Sequence, residues 1–178
     1  GLEAIKNPDF IIVIGGNLPV QKKSKKLFSA LRIAHKNLSK IIAVDTGAFL
    51  IAESGLINKE TIVCTHWETK SNFIERYPDI KIVENIYTIN SNGLMFAAGG
   101  ISTLDLILEC VKNIKGKDYS DEIAHALIYR PREKSTTQKS EQYNLSTDNI
   151  CQKSILIMEK NIETPIKINE IAKKLNIS

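Results

Sequence analysis

Ile41-Ile42-Ala43-Val44-Asp45-Thr46-Gly47-Ala48-Phe49-Leu50-Ile51-Ala52 is the stretch that decides the fold. Its first four residues form an uninterrupted apolar run, the signature of a strand buried on both faces. Residues 47–52 then pass through small side chains into helical spacing. The junction is a strand-to-helix elbow with Asp45 at its tip. In hydrolytic enzymes such an elbow holds Ser or Cys on a tight turn beside glycines, which let backbone N–H groups approach a developing oxyanion. A carboxylate at the tip changes the chemistry, because its attack on a carbonyl would form an anhydride. The stretch reads as the architecture of an enzyme with its nucleophile replaced, which points to binding rather than turnover.

Outward from the elbow the pattern alternates. Phe10–Ile14 is a β-branched run closed by Gly15-Gly16, and reads as a central parallel strand ending in a tight loop. The two glycines are expected to supply positive φ there, and only secondarily N–H groups for a ligand. Leu27, Phe28, Leu31 and Ala34 recur at helical spacing over 24–37. Downstream, a strand over 61–65 ends in His66-Trp67, a helix over 70–76 stops before Pro78, and a strand covers 81–83. Segments 87–90 and 94–97 flank Ser91-Asn92-Gly93, a hairpin turn signal. Leu104, Ile107, Leu108 and Val111 make an apolar stripe over 102–114, and a second helix over 119–129 follows Lys115-Gly116. The series predicts an α/β fold whose mixed, mostly parallel sheet is covered by helices.

Composition changes at Arg130-Pro131-Arg132. From there to Asp148 the chain is polar and reads as a mobile linker. Beyond it, Ile150, Ile155, Ile157 and Met158 mark a helix stopped by Thr164-Pro165. Ile168, Ile171, Ala172 and Leu175 mark another, with Asn169 expected as its N-cap. Two short helices meeting at Pro165 read as the start of a helix-turn-helix. The formal charge of +4 is too small to argue for nucleic acid by itself. Cys64, Cys110 and Cys151 are widely spaced in apolar segments and read as core residues, neither disulfides nor a metal set, and no cofactor is expected. That usage fits a reducing, cytoplasmic setting, and no run reaches membrane-spanning length. The opening Gly1-Leu2-Glu3 and the stop at Ser178 predict an interior segment of a longer protein.

Several landmarks occur together in order: Val13-Ile14-Gly15-Gly16, Asp45-Thr46-Gly47-Ala48-Phe49, Ala52-Glu53-Ser54-Gly55-Leu56, Thr65-His66-Trp67, Ala97-Ala98-Gly99-Gly100 with Asp105, and Ile168-Asn169-Glu170-Ile171-Ala172. In these the chain resembles the AraC/XylS-type transcription regulators whose sensor is a class I glutamine-amidotransferase-like (PfpI-like, GlxA-like) domain. The resemblance implies a flavodoxin-like sensor over 1–129 that lacks at least one opening βα unit. It further implies a linker over 130–148 and, over 149–178, the opening of a helix-turn-helix domain cut before its recognition helix. Enzymatic members carry Cys where this chain has Asp45. Asp there resembles the subgroup that senses arginine, betaine, carnitine and similar cationic nitrogen compounds. On this resemblance Asp45, Thr46, Gly15, Gly16, His66 and Trp67 are the expected effector-binding residues. Asn169, Lys173, Lys174 and Ser178 are the expected DNA contacts. DNA, a small effector and a second copy of the chain are the expected partners, and no catalytic turnover is expected.

Plainer readings stand beside these. Asp45 could simply cap the following helix, His66 could be a satisfied histidine at a strand end, and Cys64 a core residue. Asp105 either reaches the elbow or only solvates its helix. Lys22, Lys23, Lys25 and Lys26 read as a solvated face. The competing function is an amidotransferase-like hydrolase or a hydratase with Asp45 and His66 as an acid–base pair.

Overall fold

The computed structural model describes residues 8–16, 24–138, 150–159, 161, 164–175 and 177. The chain divides into two compact units, Gly1–Gln138 and Lys139–Ser178. In the first, the described residues run β1 (Phe10–Ile14), α1 (Lys25–Lys36), β2 (Lys40–Val44), α2 (Gly47–Glu53), β3 (Ile62–Val63), α3 (Lys70–Arg76), β4 (Lys81–Ile82), β5 (Tyr87–Ile89), β6 (Leu94–Ala97), α4 (Ser102–Lys115) and α5 (Lys117–Ala126), with a single 3-10 turn at Trp67–Thr69.

A four-stranded sheet has the order β1-β2-β6-β5. β1 and β6 both flank β2 in parallel, Ile11 facing Ile41 and Ala43 facing Phe96, while β5 returns antiparallel to β6. The fold is flavodoxin-like, with a mostly parallel sheet between helices. β2 is apolar throughout because successive side chains enter opposite layers. Ile41 and Ala43 join Leu31, Phe49, Phe73 and Phe96 on the α1–α3 side. Ile42 and Val44 join Tyr87, Met95, Ala97 and Leu106 on the α4 side. Ile41 and Ile42 are each 1% exposed, and burial on that scale contributes about 2 kcal/mol per side chain. Both layers grip the strand that carries Asp45.

Local chemistry sets the boundaries. Ser24 caps α1, its Oγ accepting from the Leu27 N–H at 3.2 Å. In the β5–β6 hairpin, Gly93 N–H donates to the Asn90 carbonyl at 3.1 Å. The Asn90 side chain acts as a substitute strand partner, accepting from Ile62 N–H at 2.8 Å and donating to the Ile62 carbonyl at 3.0 Å. It stitches β3, which pairs with β4 in a separate two-stranded sheet, to the hairpin.

Several expectations for the first unit differ from the structure. Among the described residues β1 lies at the edge of its sheet, where a central strand is expected, and its Ile12 and Ile14 are 49% and 74% exposed; an apolar run shows that a strand is apolar without showing which neighbours it has. The strands expected over 61–65 and 81–83 shrink to two residues each. The expected mobile linker begins as a docked strap: Ile86 N–H donates to the Thr136 carbonyl at 3.0 Å, Gln138 N–H to Glu84 at 2.9 Å, and Asn85 forms an antiparallel bridge with Thr137. Polar composition conceals such pairing because it is made by backbone. The rest of that segment, 139–148, lies outside the described residues.

The second unit contains α6 (Ile150–Glu159) and α7 (Ile168–Lys174). Among its described residues Ile171 is buried, at 7% exposure. Lys167, not Asn169, stands at the N-cap of α7, and no side chain caps it. Asn169 lies inside the first turn, where a short polar side chain has no free N–H ahead of it to accept from.

Candidate functional site

Asp45 leaves β2 in the left-handed backbone region, with φ +57°. Asp tolerates this conformation better than most residues, yet it persists only where the surroundings fix it, at a cost of roughly 1 kcal/mol. Three contacts do so. Its N–H donates to the Ala97 carbonyl at 2.9 Å, and its carbonyl accepts from the Thr65 hydroxyl at 3.1 Å. Gly99 lies against the side chain so closely that a Cβ there would sit 3.1 Å from the Asp45 Cβ. Gly99 itself has φ +108°, a second reason for glycine at that position.

The N-cap of α2 is Thr46, and no side-chain bond caps the helix. Asp45 is therefore not a capping residue. The Thr46 hydroxyl donates instead to the Gly16 carbonyl at 2.9 Å. Among the described residues no hydrogen bond or ion pair reaches the half-buried Asp45 carboxylate.

The loop after β1 is pressed onto the elbow. A Cβ on Gly15 would lie 2.2 Å from the Gly47 nitrogen, and one on Gly47 would lie 2.3 Å from the Val13 carbonyl oxygen. Gly15 is thus glycine for want of space and not for positive φ, since neither it nor Gly16 adopts positive φ. Its N–H is already donated to the Val44 carbonyl at 3.0 Å, so it has no hydrogen to offer a ligand. Gly16 faces open space.

His66 and Trp67 follow Thr65 at the end of β3. The His66 Nδ1 accepts from Glu68 N–H at 3.4 Å and lies 3.6 Å from the Glu68 carboxylate. Its ring is tilted against Trp67 at 5.7 Å, and Trp67 is 39% exposed. No hydrogen bond joins His66 to Asp45 among the described residues. They are linked indirectly: the Thr65 hydroxyl, which donates to the Asp45 carbonyl, lies 3.0 Å from the Thr69 hydroxyl, and that hydroxyl donates to the His66 carbonyl at 3.0 Å. Cys64 is fully buried, donates its thiol to the Phe96 carbonyl at 3.2 Å, and has its pKa pushed up to about 12 by that burial. It is a core residue, inert as a thiolate at neutral pH. Among the described residues no group of His, Cys, Asp and Glu could hold a metal.

Asp105 neither reaches the elbow nor solvates its helix. It is 2% exposed, and its carboxylate accepts from the Tyr129 hydroxyl at 2.7 Å, the Arg132 N–H at 2.8 Å and the Arg132 Nε at 2.9 Å, with Arg132 Nη2 also at 2.9 Å. Burial, and then the neighbouring carboxylate, raise the Tyr129 pKa. Nothing local in the sequence announces this cluster, because its members are 24 and 27 residues apart.

In the second unit Asn169, Lys173 and Lys174 are exposed on α7. Lys25 and Lys26 are exposed on α1. Lys22, Lys23 and Ser178 lie outside the described residues. No helix among the described residues is long and apolar enough to cross a membrane.

No family model matches the chain. It is 26% identical over 181 residues to the HTH-type transcriptional regulator CdhR of Pseudomonas aeruginosa, covering 99% of this chain and 53% of that protein. It is 28% identical over 156 residues to the HTH-type transcriptional regulator ArgR of the same organism, covering 84% and 47%. The chain thus spans about half the length of the relatives it matches. In structure it is similar to an AraC family transcriptional regulator from Pseudomonas putida, with TM-score 0.62, 20% identity, and coverage of 71% of this chain and 67% of that one. It is likewise similar to Drosophila melanogaster DJ-1beta, with TM-score 0.58, 16% identity, and coverage of 68% and 64%. The sequence relatives are transcription regulators by name, and the solved structures share the fold.

Proposed function

We propose that this chain is the effector-sensing part of a cytoplasmic DNA-binding transcription regulator. Asp45 would be the anionic anchor for a small cationic nitrogen compound of the arginine, betaine or carnitine kind. One observation carries this reading: the Asp45 carboxylate, held in a left-handed backbone conformation, receives no hydrogen bond or ion pair among the described residues. A fixed carboxylate of this kind suits a guanidinium, which can bond it bidentately, or a quaternary ammonium, which it attracts by charge alone. Trp67, which is 39% exposed, would offer an aromatic face to such a cation. Thr46 and the Gly15–Gly16 loop would position the anchor, and His66 would be a further residue of the same site.

Three features support a role without turnover. The elbow carries no thiol or hydroxyl at its tip, Cys64 is buried beneath it, and no hydrogen bond makes Asp45 and His66 a proton-transfer pair. In the second unit, Asn169, Lys173 and Lys174 would touch DNA phosphate as part of the supporting helix of a helix-turn-helix. A sensor over 1–129, a tether over 130–148 and a DNA-binding opening over 149–178, paired with a second copy, would let effector binding alter how two such modules meet their half-sites.

Thermal unfolding with arginine, betaine and carnitine tests the sensing role. A ligand at a hundred times its Kd should stabilise the chain by about 2.7 kcal/mol, and no shift with any of the three would overturn it. For the DNA role, Lys173→Ala and Lys174→Ala should each flatten the salt dependence of duplex binding by about 0.9 in log–log slope; an unchanged slope would remove α7 from the interface.

A further inference from the structure

The residues that hold the elbow also hold the last residues of the first unit. Thr65, 1% exposed, donates its hydroxyl to the Asp45 carbonyl at 3.1 Å. The Thr65 carbonyl in turn accepts from the Gln138 side-chain amide at 2.9 Å, and the same Nε2 lies 3.3 Å from the Asn85 carbonyl. Gln138 closes the first unit, and the next residue begins the second. One residue therefore stands between the backbone of the proposed anchor and the point from which the second unit departs.

The strap is held unequally along its length. At its start, Arg132 is clamped by Asp105 through its own N–H and its guanidinium, in a pocket where Asp105 is 2% exposed. Residues 133–135 are exposed. Beyond the clamp, the Asn85 side-chain amide donates to the Lys134 carbonyl at 2.9 Å, and two backbone hydrogen bonds to residues 84 and 86 together with the Gln138–Thr65 bond hold the end. A buried ion pair that would be left uncompensated resists opening, whereas a few partly exposed hydrogen bonds open with modest cost.

We propose that residues 133–138 are a releasable strap whose docking is set by the elbow through Thr65. The proposal rests on effector binding at Asp45 and specifies how that binding is transmitted. A ligand that shifts the Asp45 peptide moves the acceptor of the Thr65 hydroxyl, and the Thr65 carbonyl moves with it, loosening or tightening its bond to Gln138. Release beyond the Arg132 clamp frees six residues, about 20 Å of extended chain at ~3.3 Å per residue. That extra reach is then available to the second unit. Because coupling of binding equilibria is reciprocal, loosening the strap must also disturb the elbow.

Amide hydrogen exchange on the full chain tests this without any ligand. Thr65→Val removes the hydroxyl at nearly constant shape and should speed exchange of the Ile86 and Gln138 amides about fivefold or more, the effect of one net hydrogen bond. Gln138→Ala, at a partly exposed position, should speed exchange at the Asp45 amide. Arginine is the probe for the ligand arm: it should change exchange at Ile86 and Gln138 in the wild type, while Gln138→Ala binds it with the strap amides indifferent. Strap amides unchanged in a folded Thr65→Val, or an elbow unchanged in Gln138→Ala, would overturn the strap. So would arginine binding the wild type without moving Ile86 or Gln138. If no cation binds at all, the sensing role falls instead, and the two substitutions still decide the strap; should Thr65→Val not fold, Gln138→Ala decides it.

Discussion

Asp45 and Asp105 are two carboxylates in one compact unit with opposite surroundings. Asp105 is 2% exposed and saturated, with Tyr129 and Arg132 occupying its oxygens. Asp45 is half-buried, held by its backbone, and no group among the described residues reaches its carboxylate. The saturated carboxylate ties chain to chain, and removing it leaves Arg132 and Tyr129 without their acceptor. The unsaturated one contributes little to folding and is costly in backbone strain, a combination expected where a site is shaped for something outside the chain.

Stability measurements can break that contrast. The largest effect is expected from Asp105→Ala, which strands a partly buried guanidinium and a tyrosine hydroxyl and should cost about 3 kcal/mol in urea unfolding. A loss below about 1 kcal/mol would erase the distinction between the two carboxylates. Next comes the glycine contact beneath the elbow. Gly47→Ala drives a Cβ to within 2.3 Å of the Val13 carbonyl oxygen, and should cost about 2 kcal/mol by overpacking against backbone that cannot rotate away. Gly16→Ala, one residue along the facing loop and open to space, should stay within about 0.5 kcal/mol. Equal effects would mean that the β1 loop does not press on the elbow. The smallest change is expected from Asp45→Asn. Asn tolerates the left-handed region as Asp does, so the same unfolding experiment should find stability within about 0.5 kcal/mol of wild type.

The contrast also marks what could be read from the sequence. The elbow was legible because its apolar run, small residues and helical spacing are all local, and the structure places β2, Asp45 and α2 where they predict. The β5–β6 hairpin was legible for the same reason, through Asn92-Gly93. Four features were not. Among the described residues β1 lies at an edge, Gly15 is a packing glycine, Asp105 grips Arg132, and Gln138 reaches Thr65 across 73 positions of sequence. Each depends on which distant segment arrives beside the residue, and that information is absent from periodicity and turn chemistry. At the start of the segment read as a mobile linker, polar side chains give no sign that the backbone of residues 136–138 pairs with residues 84–86. Within the candidate site, Asp45 was found by its place on an elbow, whereas Thr65 and Gly99, which fix its geometry, needed the fold.

The most direct test of the account is calorimetric titration of arginine into the wild-type chain and into Asp45→Asn, which keeps the shape of the anchor and removes its charge. The account predicts binding by the wild type and an affinity roughly ten- to a hundredfold weaker in the variant, the loss of one charge-assisted hydrogen bond. Equal affinity in the two chains would contradict it.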